Sequence, residues 1–237
     1  MTRRTIAVIP ARGGSKSIPR KNLVDVAGKP LVAHMIGHAL EVPDITDVVV
    51  STDDPKIADT AKSFGAQVPF KRPDDLSGDD VLSLPVVQHA VAFMEAAAGD
   101  LYDAVVVLQA TAPLCRPQDI RACLNRLSEG DCDSVVSVVR ITSNHPFRMK
   151  RIVDGDVLIN FLDQGFEDVR PRQQLPPVYK RSGAVYASTR ATVMDDGQIV
   201  GNRARAVIVP EDTAVDIDTP LDLALVRLIV EEKADSI

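Results

Sequence analysis

Three short apolar runs constrain this chain most: Thr5-Ile6-Ala7-Val8-Ile9-Pro10, Asp47-Val48-Val49-Val50-Ser51-Thr52 and Asp103-Ala104-Val105-Val106-Val107-Leu108-Gln109. Each is strand-length, and in the third the apolar residues follow one another without alternation. A strand with no polar face must be covered on both sides, as in a parallel sheet sandwiched by helices. Segments of helical spacing lie between and after these runs. One opens at Pro30-Leu31-Val32 and reaches Glu41, with the proline suited to a first turn. A second begins at Thr52-Asp53-Asp54-Pro55, a helix-start signal, carries Ile57, Ala58, Ala61 and Phe64, and stops at Gly65. Two more run from Leu84 to Ala98 and from Pro117 to Leu127, and Ser134–Val139 is a further strand. Val68-Pro69-Phe70 reads as a short strand near an edge, because of its proline. The alternation predicts an α/β fold with a doubly wound, mostly parallel sheet. Ligands of such sheets sit at the carboxyl ends of the strands, so the loops Arg12–Asn22, Thr52–Asp54 and Gln109–Cys115 are expected on one rim.

The first of those loops, Ala11-Arg12-Gly13-Gly14-Ser15-Lys16-Ser17-Ile18-Pro19-Arg20-Lys21-Asn22, carries four cations and no acid, in a chain of net charge −6. Glycines let a backbone approach a ligand with its N–H groups turned outward, while Lys and Arg neutralise negative charge. An anion site is therefore expected here, against the plainer reading of a solvated turn. The loop matches neither G-x-G-x-x-G nor G-x-x-x-x-G-K-[ST], which weighs against a dinucleotide oxidoreductase and a P-loop ATPase. No G-x-S-x-G is present to support a hydrolase elbow.

At 237 residues the chain suits a single α/β domain. Its acidic balance and 4% aromatic content argue against broad nucleic-acid binding. Apolar runs of strand length and an N-terminus without a signal-peptide h-region predict a cytoplasmic protein with no membrane partner. Cys115, Cys123 and Cys132 form no C-x-x-C pair and read as reduced thiols. His34 and His38 stand four apart on a helix but have no acid or Cys partner nearby for a zinc site.

The rhythm changes over residues 141–183. This stretch holds His145-Pro146, a hairpin signal at Val153-Asp154-Gly155-Asp156-Val157 and the proline-rich Arg170–Pro177, and reads as an inserted arm suited to self-association. The βα pattern resumes at Ala184–Ala187 and Ala206–Val209 and ends in a C-terminal helix from Leu221. Just before it, Asp216 and Asp218 stand two apart in an extended-looking segment. That spacing puts both carboxylates on one face and Val215 and Ile217 on the other. Paired carboxylates call for a cation, and Mg²⁺ held with substrate phosphates fits. The competing reading is that Asp218 caps the last helix.

Read together, Ile9–Asn22, Ala27-Gly28-Lys29-Pro30-Leu31, Ser51-Thr52-Asp53-Asp54, Val68–Pro73, Leu108–Leu114, Arg172–Pro176, Gly183-Ala184-Val185-Tyr186 and Val215–Pro220 resemble, in order, the motifs of the acylneuraminate cytidylyltransferases. The resemblance covers nearly the whole chain. It implies a Rossmann-like nucleotidyltransferase fold, a homodimer, and a Mg²⁺-dependent transfer of CMP from CTP to an acceptor hydroxyl with release of pyrophosphate. It places the nucleotide at Ala11, Arg12, Gly13, Gly14, Ser15, Lys16, Lys21, Asn22, Arg72 and Gln109. Arg12 and Lys21 then act in catalysis with the metal carboxylates Asp216 and Asp218. It places the acceptor at Gln109, Arg148, Arg172, Lys180, Ser182 and Tyr186. Phosphoryl-transfer chemistry is largely positioning and charge stabilisation, which suits such a set. Departures gather on the acceptor side. The family's Pro-Thr-Ser-Pro-Leu-Arg is Ala110-Thr111-Ala112-Pro113-Leu114-Cys115 here, and Lys180 and Ser182 stand where Arg and Asn are usual. Acceptor choice is therefore expected to lie at Cys115, Arg172, Lys180 and Ser182. A nonulosonic acid of sialic type leads, with another 2-keto sugar acid or a small phosphonate as the alternative. A nucleotide-binding protein without turnover is the reading from another class.

Overall fold

The computed structural model describes residues 3–163 and 165–234, and the side chains of all but 233 and 234. The strands are β1 (Thr5–Pro10), β2 (Asp25–Val26), β3 (Lys29–Pro30), β4 (Asp47–Ser51), β5 (Ala104–Leu108), β6 (Ser134–Arg140), β7 (Lys150–Val153), β8 (Val157–Asn160), β9 (Tyr179–Thr189) and β10 (Ala204–Ile208). The α-helices are α1 (Leu31–Leu40), α2 (Pro55–Ser63), α3 (Ser83–Ala98), α4 (Pro117–Ser128), α5 (Arg190–Met194) and α6 (Pro220–Ala234). Six strands form one sheet in the order β10-β6-β9-β5-β1-β4. β9 runs antiparallel to both its neighbours, and the other pairings are parallel.

Alternate residues of β1 face opposite ways, as strand geometry requires. Ala7 and Ile9 join a core with Val32, Met35 and Ile36 of α1, Ile57 of α2 and Ile120 of α4. Ile6 and Val8 join a second core with Val87, Ala90 and Val91 of α3 and Val193 of α5. All five residues of β5 are buried, which explains its unbroken apolar sequence. α6 forms a smaller core in which Val226 meets Ile18, Val26, Leu31 and Ile217. It is pinned across the start of the chain, where Arg227 donates to the Asp25 carbonyl at 2.7 Å.

Two local expectations need correction. Val68-Pro69-Phe70 is not a strand: pairing is limited to one parallel bridge between Val49 and Gln67. Pro69 offers no N–H to extend the ladder. Phe70 instead packs on the second core, edge-on to His89 with ring centroids 4.5 Å apart. The cap of α6 belongs to Thr219 rather than Asp218. Thr219 N–H donates to Asp222 at 2.7 Å and Asp222 N–H donates to the Thr219 hydroxyl, a reciprocal capping box.

The insertion contains the β7–β8 hairpin, whose turn residues Asp154 and Gly155 both have positive φ. β9 begins at Tyr179, so residues 179–183 belong to the main sheet, where Lys180 lies opposite Val139 and Arg181 opposite Val138. The register shifts between Val136 and Val138 on β6, and Gly183, at φ +79°, lies in the unpaired stretch of β9 that faces the shift.

Candidate active site

β1 lies between β4 and β5, so the chain winds to one side of it and then to the other. A crevice is expected at that switch point. The loop leaving β1 is tied to its neighbour at once: Ala11 N–H donates to Ser51 carbonyl at 2.9 Å. Gly13 N–H donates to Asp53 at 2.9 Å, so it points into the protein rather than outward to a ligand. A Cβ at Gly13 would lie 2.8 Å from Asp54 Cβ, which gives this glycine a packing reason. Gly14 has open space around its Cα and lines the cavity beyond. The Asn22 amide donates to the Arg12 carbonyl at 2.9 Å and folds the loop back on itself.

That cavity, of about 420 Å³, is lined by Arg12, Gly14, Ser15, Lys16, Lys21, Asn22, Arg72, Gln109, Thr111 and Asp218, among others. Ala11 is buried and does not line it. Arg72 is 4% exposed, with its guanidinium bonded to the hydroxyl and carbonyl of Ser51. Burial pushes its pKa down to about 10, against the pull of Asp53. Gln109 is fixed through its backbone, N–H to Ala184 carbonyl at 3.1 Å, which frees its side chain for the cavity.

Lys21 joins the two ends of the chain. Its Nζ donates to the Ile217 carbonyl at 2.7 Å and to Asp218 Oδ1 at 3.1 Å. Ile217 is fully buried and Asp218 is exposed, as their alternation predicts. Asp216 is half-buried, and its Oδ1 has no hydrogen-bond partner. Burial raises its pKa above the ordinary carboxylate value, Thr111 opposes the rise and the charge of Asp218 adds to it. Gly183 explains how β9 comes so near: a Cβ there would sit 2.5 Å from Asp216 Oδ2.

Asp216 and Asp218 also face a second, larger cleft of about 1010 Å³ between the end of β6 and α6. Lys180, Arg181, Arg140 and Asn144 line it, so Asp218 belongs to both hollows. Of the residues assigned to the acceptor, Gln109 lines the first cavity and Lys180 and Ser182 the second. The Ser182 hydroxyl is engaged by Ser137 at 2.6 Å and is 2% exposed. Arg172 donates to the Thr142 carbonyl at 2.6 Å and Arg148 to the Arg170 carbonyl, and neither lines either of these hollows. Tyr186 is half-buried on the second core. Burial raises its pKa, with Arg181 opposing and Asp216 adding. Cys115 is buried in the first core, its thiol pushed up to about 12 by burial, and offers nothing to a ligand.

Thr111, Gly183, Arg140 and Arg181 enter the site without having been assigned to it. Gly183 could have been found, since an isolated glycine in a strand pattern signals a bulge or close approach. Arg181 carried no such signal.

A profile of the cytidylyltransferases matches residues 6–232. The chain belongs to the cytidylyltransferase family. It is 30% identical over 233 residues to a pseudaminic acid cytidylyltransferase of Campylobacter jejuni, covering 98% of this chain and 99% of that one. It is 34% identical over 231 residues to a CMP-N,N'-diacetyllegionaminic acid synthase of Legionella pneumophila, covering 96% and 97%. Among solved structures, a CMP:2-keto-3-deoxy-manno-octonic acid synthetase complexed with CTP shares the fold. Its TM-score is 0.70 at 22% identity, over 97% of this chain and 99% of that one. Among the described residues no helix is long and apolar enough to cross a membrane.

Proposed function

We propose that this chain transfers CMP from CTP to the hydroxyl of a nonulosonic sugar acid, releasing pyrophosphate. The observation that carries the reading is the meeting of two hollows at Asp218, with Asp216 lining the second beside it. One hollow is walled by Arg12, Lys16 and Lys21, and the other carries Lys180 and Arg181 on its rim. A triphosphate in the first and an acidic acceptor in the second bring α-phosphorus and hydroxyl together at the carboxylate pair. The names of the two relatives above support an acceptor of this class.

Arg12, Ser15 and Lys16 bind the phosphates, and Arg72, Asn22 and Gln109 sit where the nucleoside extends. Mg²⁺ is the proposed cofactor. The unpartnered Oδ1 of Asp216 and the exposed carboxylate of Asp218 suit a hard cation. Among the described residues no third His, Cys, Asp or Glu completes a protein cage, as fits an ion that keeps waters and takes phosphate oxygens. Held by Asp216 and Asp218, such an ion would supply positive charge against that developing on the phosphates. Lys21 holds the carboxylate segment against the phosphate loop.

We further place the enzyme in the cytoplasm as a homodimer. The buried, free thiols of Cys115, Cys123 and Cys132 support a reducing compartment. Exposed Ile152, Leu158, Phe161 and Phe166 on the 141–178 arm support a partner surface, to be checked by sedimentation velocity. The deciding experiment measures pyrophosphate release from each nucleoside triphosphate with a panel of acidic acceptors, with and without Mg²⁺. Release with CTP, Mg²⁺ and a nonulosonic acid is expected. Release only with an octonic 2-keto acid or a phosphonate reassigns the acceptor, and no release with any pair sinks the enzymatic reading.

A further inference from the structure

The cations that line the first cavity are not free. Asp79 Oδ1 lies 2.7 Å from Arg12 Nη1, and Asp79 Oδ2 lies 3.2 Å from Lys16 Nζ. The Arg12 Nη1 also donates to the Gly78 carbonyl at 3.1 Å. One carboxylate thus gives one oxygen to each of two cations, as a phosphate group bridges such a pair. Asp79 comes from the turn-rich stretch before α3, and Leu76, Gly78 and Val81 of the same stretch line the cavity with it. Asp79 is exposed and makes no other side-chain hydrogen bond or ion pair among the described residues. Its neighbour Asp80 carries the same charge and does not line the cavity.

A triphosphate cannot take Arg12 and Lys16 while Asp79 holds both, because two anions on one pair of cations repel. We propose that Asp79 is an exchangeable counter-ion of the phosphate grip, a positioning residue that yields to CTP and reclaims Arg12 and Lys16 when pyrophosphate leaves. The role rests on the assignment of the first cavity to the triphosphate. CTP carries more charge than one carboxylate and displaces it on entry. Pyrophosphate has lost the nucleoside contacts, and a carboxylate tethered on the same wall competes for the cations at high effective concentration. Asp79 thereby trades tight product binding for release.

The test measures binding of inorganic pyrophosphate and of CTP by calorimetry to wild type, Asp79→Asn, Asp79→Glu and Asp80→Asn. Pyrophosphate inhibition of turnover is measured on the same four proteins. Asp79→Asn is expected to bind pyrophosphate about tenfold tighter and to show a correspondingly lower inhibition constant, with thermal stability unchanged. Asp79→Glu restores the wild-type constants, and Asp80→Asn leaves them unmoved, which separates the bridge from a general change of charge. A purely structural tie would give the opposite sign, a loosened loop and weaker binding. Unchanged or weaker pyrophosphate binding by Asp79→Asn, beside a wild type that binds both ligands, overturns the role of Asp79 alone. A wild type that binds neither ligand overturns the triphosphate site and this role with it.

Discussion

The two hollows that meet at Asp218 differ in how their walls are tied together. The first sets one loop, bonded within itself from Asn22 to Arg12 and to the end of β4 from Gly13 to Asp53 and Ala11 to Ser51, against residues 72–86 and 109–111. The second is walled by three stretches far apart in sequence: the end of β6 with residues 141–144, residues 180–182 of β9, and residues 211–218 running on into α6. Its cations Lys180 and Arg181 are exposed and make no hydrogen bond or ion pair described above. A loop pinned both within itself and to the neighbouring strand can grip a common substrate in a fixed way. A wall of separate pieces can change one piece at a time, which suits a variable acceptor.

The comparison breaks most visibly at the seam. Asp216→Asn is expected to reduce pyrophosphate release by at least about 10²-fold while metal-free CTP binding persists, since the lost group acts in the transfer and not in the grip. Unchanged turnover would reduce the carboxylate pair to a local structural feature. Gly183→Ala is the next largest. A methyl group 2.5 Å from Asp216 Oδ2, on a backbone at φ +79°, displaces the carboxylate and strains β9 by about 1–3 kcal/mol. Turnover and thermal stability should fall together, and a variant with wild-type turnover argues that Asp216 tolerates movement. On the acceptor side, Lys180→Ala and Arg181→Ala should each raise acceptor KM about tenfold with CTP KM unchanged. Equal changes in both constants would mean that the hollows are not separate. The smallest effect belongs to Cys115→Ser. Acceptor KM should not move, and unreacted thiols in native protein treated with a thiol reagent at pH 8 confirm burial, because Cys115 and its neighbours are closed off and hard to ionise.

The loop that lines the first cavity was legible because its residues are neighbours in sequence and follow a strand directly. The central place of β5 and the helix start at Asp54 were legible for the same reason, each being a local pattern with a local cause. The lining of the second cleft was not. Ser182 and Cys115 looked informative by position, yet the first is bonded to Ser137 and the second is packed in the core. Arg181 and Arg140 reach the cleft through the pairing of β6 and β9 and the register shift near Val136, which no local pattern announces. Asp79 was invisible for a related reason, since its partners lie 63 and 67 residues earlier. The misplaced strand at Val68–Phe70 failed at its proline, and the helix cap went to Thr219 because Asp222 is there to return the bond.

The bond from Lys21 to the Ile217 carbonyl has a consequence for synthesis. The cationic loop is complete by residue 22, yet Lys21 has nothing to hold until residues 217 and 218 follow. An arrested fragment thus carries the loop without its latch or its carboxylates.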